Sequence, residues 1–426
     1  MEPVCWIIGV LDDGLASLPT ASRQILPQAQ TVIGSQRLLE LVAPLLSPGV
    51  RSVAIQRPAE EAPHLVAEAW QRGEQVAALS TGDPLFFGMG SLLLKHFPTS
   101  RLHILPNLSY LQIALARLHL SGEEAIKLSV HRGASGPWQP GAGPDHALYP
   151  FIRQLSHHRP LAILTSPANS PGLLAHALQS EGLAASWRLS VCEQLCRPEE
   201  KISRHLTMEQ VMAGDWSFPN VVVAHPVDTP PLFPLFGQDE ALFHHGEGRI
   251  LVTRREIRAV ALAQMALTGN EIIWDIGAGS GSVALEAARL CPQGWVYAVE
   301  KRAEGVGQIE ANRRRMGILN LTIHHQKAPD GLDGLPDPDV IFIGGSCGNL
   351  DALIRLAMVR LHPQGRLVLN FVTLENLAVA MTTLNKISAP WQAVQIHADR
   401  NSTIKGMNRL EGSSPVWILT SQRNAP

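Results

Sequence analysis

Short apolar runs alternate along the chain with stretches of helical spacing. In the first 225 or so residues VCWIIGV, TVIGS, SVAIQ, QVAALS and LHILP read as strands, with amphipathic segments such as APHLVAEAWQRG between them. A second set follows: AIKLSV, PLAILTS, SWRLSVCEQL and PNVVVAHP. Two clusters of strands predict two small α/β lobes, dividing near residue 118. GASGPWQPGAGPD (133–145) carries too much Gly and Pro for regular structure and reads as a loop.

The rest of the chain alternates more regularly. A helix over 254–266 is followed by EIIWDIG as strand, SVALEAARL as helix, WVYAVE as strand and a helix to about 315. LTIHHQ, VIFIGG and RLVLNFV are further strands, with a helix near 350–360 before the last of them. TLENLAVAMTTLNK is a helix, and QAVQIHAD and VWILTS close the pattern. Between the halves PVDTPPLFP (226–234) holds four prolines in nine positions, which neither a helix interior nor a central strand tolerates. The chain therefore divides into 1–225, a linker over 226–245, and 246–426. The expected class is α/β throughout, two-lobed in front and Rossmann-like behind.

Composition narrows the function. The chain has 426 residues, 45% of them hydrophobic and 17% charged, enough apolar material for two or three cores. A formal net charge of −2 argues against a nucleic-acid partner, because proteins that grip phosphate backbones are strongly basic. The five cysteines form no C-x-x-C and no set at metal spacing, so they read as reduced thiols of a cytoplasmic protein without a metal. No run is long and apolar enough for a transmembrane helix, and the N-terminus lacks the features of a signal peptide.

The candidate chemistry centres on WDIGAGSGSVALEAA. Gly277, Gly279 and Gly281 sit at a strand-to-helix turn, where backbone approaches a ligand closely. The pattern is D-x-G-x-G-x-G; a dinucleotide fingerprint requires glycine where Ser282 stands. The next strand ends in Glu300, a carboxylate placed to accept from both hydroxyls of a ribose. A phosphate-free adenosyl cofactor, S-adenosylmethionine, fits this pair of features, although Glu300 as a solvated strand end remains the plainer alternative. VIFIGGS ends in Gly344, Gly345 and Ser346, leaving open space where amine methyltransferases often clamp a nitrogen. That space suits a bulky, flat substrate; close packing alone is the competing reading.

In the front half QVAALSTGDPLFFGMGSLL places Gly82, Asp83 and Pro84 after a strand. Asp83 and Pro84 read either as N-cap and first residue of a helix or as a loop lining a cofactor cleft. STGDPLFFGMG followed by LPNLSYLQIALARL resembles the tetrapyrrole methylases, and LTSPANSPGLLAHAL, CEQLCRPEEKI and FPNVVVAHP extend the likeness. The back half, through ILVTRREIRAVALAQM, WDIGAGSGSVALEAARL, VYAVEK, IEANRRRMGILNL and VIFIGG, resembles the class I methyltransferases that act on the same corrin precursor. Together the halves are similar to the fused bifunctional precorrin methyltransferases over nearly the whole length. The turn GVLDDG departs from the family's fuller glycine turn, and Lys327 stands before Ala328 where an acid is usual.

The resemblance implies methylation of C5 and C15 of a precorrin-6B-type substrate and loss of CO2 from its ring C acetate, as a step of cobalamin biosynthesis. It implies two S-adenosylmethionine sites. The back one would use Thr253, Gly277, Ala278, Gly279, Ser280, Gly281, Glu300 and Ala328; the front one Gly82, Asp83 and Pro84. Arg249, Arg254 and Arg255 are either contacts for substrate carboxylates or a solvated helix start. Gly344 and Gly345 border the substrate space. Asn370, Thr373 and Glu375 either line that cleft or, at Thr373, cap a helix; His244 and His245 are proton-donor candidates in the linker. A homo-oligomer is expected from the resemblance alone. Two alternatives stay open: a C15 methyltransferase/decarboxylase with a non-catalytic, substrate-binding front half, and an RNA methyltransferase with an auxiliary domain.

Overall fold

The computed structural model describes residues 2–131, 133–228, 233–244, 252–345 and 348–424. The chain forms two compact units. The first comprises residues 1–137, 158–179 and 183–228; the second comprises 229–426 together with 138–157 and 180–182.

Two five-stranded sheets build the first unit. In one, β1 (Cys5–Val10), β2 (Thr31–Gly34), β3 (Arg51–Ala54), β4 (Val76–Thr81) and β5 (Leu102–Leu105) run parallel in the order β3-β2-β4-β1-β5. Buried parallel strands read as continuous apolar runs, and Cys5, Ile7, Ile8 and Val10 are all fully buried. The other sheet holds β6 (Ile126–Ser129), β7 (Leu161–Leu164), β8 (Trp187–Glu193), β9 (Lys201–Leu206) and β10 (Asn220–Pro226) in the order β6-β7-β10-β8-β9. Only its β6–β7 pair is parallel. The helix Tyr110–Leu118 joins the lobes. A capping box between Ser109 and Gln112 starts it, and its apolar face packs on Ala162, Cys192, Val221 and Val223 of the second sheet.

One residue stretch departs from expectation. The sequence suggests a helix beginning at Pro84, yet the helix begins at Met89. Asp83 instead closes a turn, its carboxylate accepting from Leu85 N at 2.8 Å, and Phe87 takes a left-handed φ of 58°, which no helix continues through.

The second unit is a seven-stranded sheet with helices. It contains β11 (Ile272–Ile276), β12 (Trp295–Glu300), β13 (Leu321–His325), β14 (Val340–Ile343), β15 (Arg366–Phe371), β16 (Trp391–Ile396) and β19 (Val416–Gln422). The order β13-β12-β11-β14-β15-β19-β16 is parallel through β15, and β19 inserts antiparallel between β15 and β16. A separate ribbon of β17 (Asp399–Ile404) and β18 (Met407–Gly412) precedes β19. Residues 138–157 carry a short helix, Tyr149–Ile152, and pack within this unit: Tyr149 meets Trp295 edge-on at 5.3 Å, and Gly141 O accepts from Thr322 Oγ1 at 2.7 Å. Buried Glu181 accepts from Trp138 Nε1 at 2.8 Å and from an Arg313 guanidinium nitrogen at 2.9 Å. No helix among the described residues is long and apolar enough to cross a membrane.

Candidate active sites

The chain leaves β11 toward β12 on one side and later returns to place β14 on the other. The carboxyl ends of β11 and β14 therefore mark the topological switch point, where α/β sheets open a crevice. The glycine loop lies there. Gly277, Gly279 and Gly281 have φ values of 74°, 61° and 81°, a region that costs any other residue strain. At Gly277 a Cβ would lie 2.6 Å from Gly345 O, so the two glycine turns touch backbone to backbone.

A cavity of about 530 Å³ opens at this point. It is lined by Thr253, Arg254, Gly277, Ala278, Gly279, Glu300, Ala328, Gly344, Gly345 and Asn370 among the residues singled out from the sequence. Ser280 is buried outside the lining, its carbonyl accepting from Asn312 Nδ2 at 3.0 Å, and Gly281 caps the following helix, Ser282–Leu290, against Ile309. Arg255 turns to the acidic pair Asp239 and Glu240, its amide donating to Glu240 Oε1 at 2.7 Å. Thr373 holds the N-cap position of the helix Leu374–Lys386 without a side-chain cap bond, and Glu375 is exposed in its first turn; neither lines the cavity. His244 is tied through its amide to Asn312 Oδ1 at 2.5 Å. His245 and Arg249 lie outside the described residues.

Glu300 is 4% exposed and already engaged. Its Oε2 accepts from Gly279 N at 2.8 Å, and its Oε1 from Arg302 N at 3.0 Å and Nε at 3.2 Å. A carboxylate offers about four acceptor positions. To take both hydroxyls of a ribose, Glu300 has to release the Arg302 side chain, which is half in solvent. Gly305 backs the carboxylate: a Cβ there would stand 2.7 Å from Glu300 Cγ.

Sequence reasoning passed over Asp275, the acid that opens the glycine motif. It lines the cavity, is 1% exposed, and neither carboxyl oxygen makes a hydrogen bond to the described residues. Burial pushes its pKa up to about 7; the Ala284 amide pulls the other way without a well-formed bond, and the Glu300 charge adds to the rise. An unpartnered buried carboxyl facing a cavity is a feature that a cationic ligand relieves. A buried ion pair holds the cavity's entry segment in place. Arg258 and Glu286, both 0% exposed, meet at 2.8 Å. Glu286 also accepts from the amides of Gly237 and Gln238 at 2.8 and 2.9 Å, while Arg258 donates to the carbonyls of Thr253 and Gln238. Thr253 thus reaches the cavity from a fixed backbone.

The first unit has its own cavity, of about 520 Å³, bordered by both lobes. Asp83 lines it with Ser80, Thr81, Phe86 and Phe87 on one side and Leu164, Thr165, Cys192 and Asn220 on the other. Gly82 and Pro84 act behind the lining. Gly82, at φ 68°, donates to Val10 O at 2.9 Å, and Pro84 O accepts from Gly90 N at 2.9 Å. Burial pushes the Cys192 thiol up to about 12, so it is no nucleophile near neutral pH. The thin turn GVLDDG is stabilised by charge. Asp12 pairs with Arg37 and, at 2.6 Å, with Arg197 Nε, while its amide donates to the Tyr110 hydroxyl at 2.9 Å. Nothing in the local pattern of the sequence announces these partners, which come from three distant segments.

Residues 4–211 match the model of the Tetrapyrrole (Corrin/Porphyrin) Methylases, and residues 241–423 match that of the Precorrin methyltransferase domain. A precorrin-6Y C(5,15)-methyltransferase (decarboxylating) of Sinorhizobium sp is 32% identical, over 99% of this chain and 97% of its own length. The chain belongs to the precorrin-6Y C5,15-methyltransferase (decarboxylating) family. A second relative, the cobalt-precorrin-6B C(15)-methyltransferase (decarboxylating) of Salmonella typhimurium, is 35% identical over 43% of this chain and 95% of its own. A crystal structure of precorrin-6Y C5,15-methyltransferase from Geobacter metallireducens GS-15 is 36% identical, covers 45% of this chain and all of its own, and aligns with a TM-score of 0.43. The precorrin-6Y methyltransferase family thus joins in one chain the two kinds of domain that the strand patterns separate.

Proposed function

We propose that the chain methylates C5 and C15 of a precorrin-6B-type precursor (precorrin-6Y) with S-adenosylmethionine and decarboxylates its ring C acetate, giving precorrin-8 in cobalamin biosynthesis. The observation that carries this reading is the 32% identity to a C(5,15)-methyltransferase across 99% of the chain. We assign C5 to the front half and C15 with the decarboxylation to the back half, because the relative named for C15 alone matches only 43% of the chain.

The residues around each cavity suit a cofactor with a sulfonium and an ammonium. In the back half the close-packed glycine turns leave backbone, not side chains, at the crevice, and Asp275 offers an unpartnered buried carboxyl. Gly277 to Gly279 and Asp275 would hold the methionine end, and Glu300 the ribose. Asp83 lines the front cavity, where a second cofactor molecule would bind. When bound, S-adenosylmethionine supplies a methyl group made electrophilic by its sulfonium.

No strong base is needed from the chain. The enamine-like meso carbon of the substrate would supply the electron pair for the incoming methyl and would lose its own proton to water. Gly344 and Gly345 keep the acceptor side of the cavity open, so the flat ring can approach within reach of the methyl. Arg254, at the cavity, pairs with substrate carboxylates. In the decarboxylation the C–C bond pair passes into the protonated ring system, CO2 departs, and the exocyclic carbon takes a proton to become methyl. Asn370 lines the cavity, and its Nδ2 would orient the acetate by donating a hydrogen bond to the carboxylate. We further read the protein as a cytoplasmic homo-oligomer without a nucleic-acid partner, in keeping with the net charge of −2.

Turnover of precorrin-6B with methyl-labelled S-adenosylmethionine tests the reading by mass balance. Two labelled methyls and one CO2 per product are expected. A product with one methyl, whatever the cofactor concentration, contradicts it.

A further inference from the structure

The carboxylate placed for the ribose in the back cavity is covered by a side chain that the cofactor has to displace. Glu300 offers about four acceptor positions. Backbone holds one on each oxygen: Gly279 N donates to Oε2 at 2.8 Å and Arg302 N to Oε1 at 3.0 Å. Arg302 Nε, at 3.2 Å, fills the second position of Oε1. Oε2 keeps its second position free, so one ribose hydroxyl finds a place directly and the other has to replace Arg302 Nε. The backbone bonds stay, because they come from the glycine loop and from the residue that precedes the helix Ala303–Arg315. Only the guanidinium leaves.

Charge decides what the guanidinium meets next. Glu300 is its one ion-pair partner among the described residues. The next acid in sequence, Glu304, already accepts from Gln308 Nε2 at 3.2 Å. Arg302 lines the cavity with Lys301 and Arg254, all three exposed. The carboxyl groups of the described lining belong to Asp275 and Glu300, and both residues are buried. The exposed charge of the cavity is therefore cationic. An arginine fork released there pairs with a carboxylate through two parallel hydrogen bonds, and carboxylates are what the corrin precursor carries on its rim.

We propose that Arg302 is an exchangeable latch: in the empty site it closes Glu300, and S-adenosylmethionine, by taking Glu300, releases the guanidinium to a side-chain carboxylate of the macrocycle. The inference rests on the back half binding both ligands as proposed above. It adds a coupling between them and the residue that carries it. The size of the coupling is set by the latch alone. One latch opposes both ligands, and whichever binds first removes it for the other. The factor by which cofactor tightens macrocycle binding therefore equals the factor by which the latch weakens cofactor binding. An ion pair half in solvent makes that factor about three- to fivefold.

The test uses the full chain and calorimetric titration of S-adenosylhomocysteine, the back site being the one that Gly279→Arg abolishes. Arg302→Met keeps the aliphatic stem, and the Arg302 side chain makes no cap bond to the helix it precedes, so the substitution leaves the fold intact. Removing the guanidinium tightens S-adenosylhomocysteine at the back site about three- to fivefold, the opposite of what the loss of a cofactor ligand does. In the wild type, saturating S-adenosylhomocysteine tightens precorrin-6B binding at the back site by the same factor, and Arg302→Met removes that coupling. In turnover the variant's KM for the macrocycle in C15 methylation rises while kcat stays within about twofold, the pattern of a contact made equally in ground and transition states. Unchanged or weaker S-adenosylhomocysteine binding in Arg302→Met overturns the latch. Tighter binding with the precorrin-6B coupling intact overturns the transfer of the guanidinium to the macrocycle. A wild type in which Gly279→Arg abolishes no site overturns the back-site reading and this inference with it.

Discussion

Gly277→Ala is the sharpest perturbation of the back site. Two costs add at this position. A φ of 74° costs a residue with a Cβ about 1–2 kcal/mol. The new methyl would also stand 2.6 Å from Gly345 O and 2.8 Å from Gly345 N. Those atoms are backbone, and the turn they belong to is held by Gly344 N donating to Ile276 O at 3.0 Å, so no flexible side chain gives way. Overpacking of this kind costs about 1–3 kcal/mol. The sum, about 2–5 kcal/mol, falls on the two turns that form the crevice. If about 2 kcal/mol of it is felt only by the cofactor-bound arrangement, affinity drops roughly 30-fold. Gly307→Ala is the control: it lies in the helix Ala303–Arg315 with nothing within 4 Å of the added carbon, and is expected to be neutral or to stabilise by up to about 1 kcal/mol. The assay pairs calorimetric titration of S-adenosylhomocysteine with hydrogen exchange across residues 272–290. A Gly277→Ala protein that binds at both sites like wild type, with unchanged exchange in that segment, refutes the close-approach argument.

Other residues carry separate predictions. Asp275 has a folded pKa of about 7 against an ordinary 3.8, so the neutral acid is what the fold favours. Stability tied to it is complete below about pH 4 and is lost as pH rises through 7, by up to about 4 kcal/mol; without cofactor, urea unfolding of Asp275→Asn lacks this decline between pH 4 and 8. Glu286→Gln leaves Arg258 buried without its counter-charge and costs the back unit about 3–5 kcal/mol in the same unfolding experiment. Gly305→Ala pushes on Glu300 and weakens S-adenosylhomocysteine binding at the back site alone, by about tenfold in calorimetry.

The central strands were legible because burial on both faces leaves its mark as uninterrupted apolar runs, as in IIW of β11 and VVVA of β10. Two kinds of strand left no such mark. β9, KISRHL, is a partly exposed edge strand, and the β17–β18 ribbon, whose residues face water on nearly every side, mixes polar residues with the exposed Ile404, Met407 and Leu410. Its turn, Lys405–Gly406, has φ of 50° and 81°, a hairpin signal that the sequence carries only as the dipeptide Lys-Gly. The glycine loop and Glu300 were legible for a local reason: motif and strand end lie within 25 residues of each other. The missing bonds of Asp275, the Asp12 pairing with Arg37 and Arg197, and the grip of Glu181 on Trp138 and Arg313 depend on residues brought together only by the fold. Thr373 and Glu375 read two ways in the sequence, as cleft lining or, at Thr373, as a helix cap. They follow a cavity-lining strand in sequence, but the helix that starts there carries them away from the cavity.

The central claim is that one chain carries two working cofactor clefts. Calorimetric titration of S-adenosylhomocysteine into the whole protein, a Gly279→Arg variant and an Asp83→Arg variant tests it most directly. Two sites in the wild type, with the back one lost in Gly279→Arg and the front one in Asp83→Arg, is the result expected. A single site in the wild type, abolished by Gly279→Arg and untouched by Asp83→Arg, contradicts the claim and reduces the front half to a substrate-binding module.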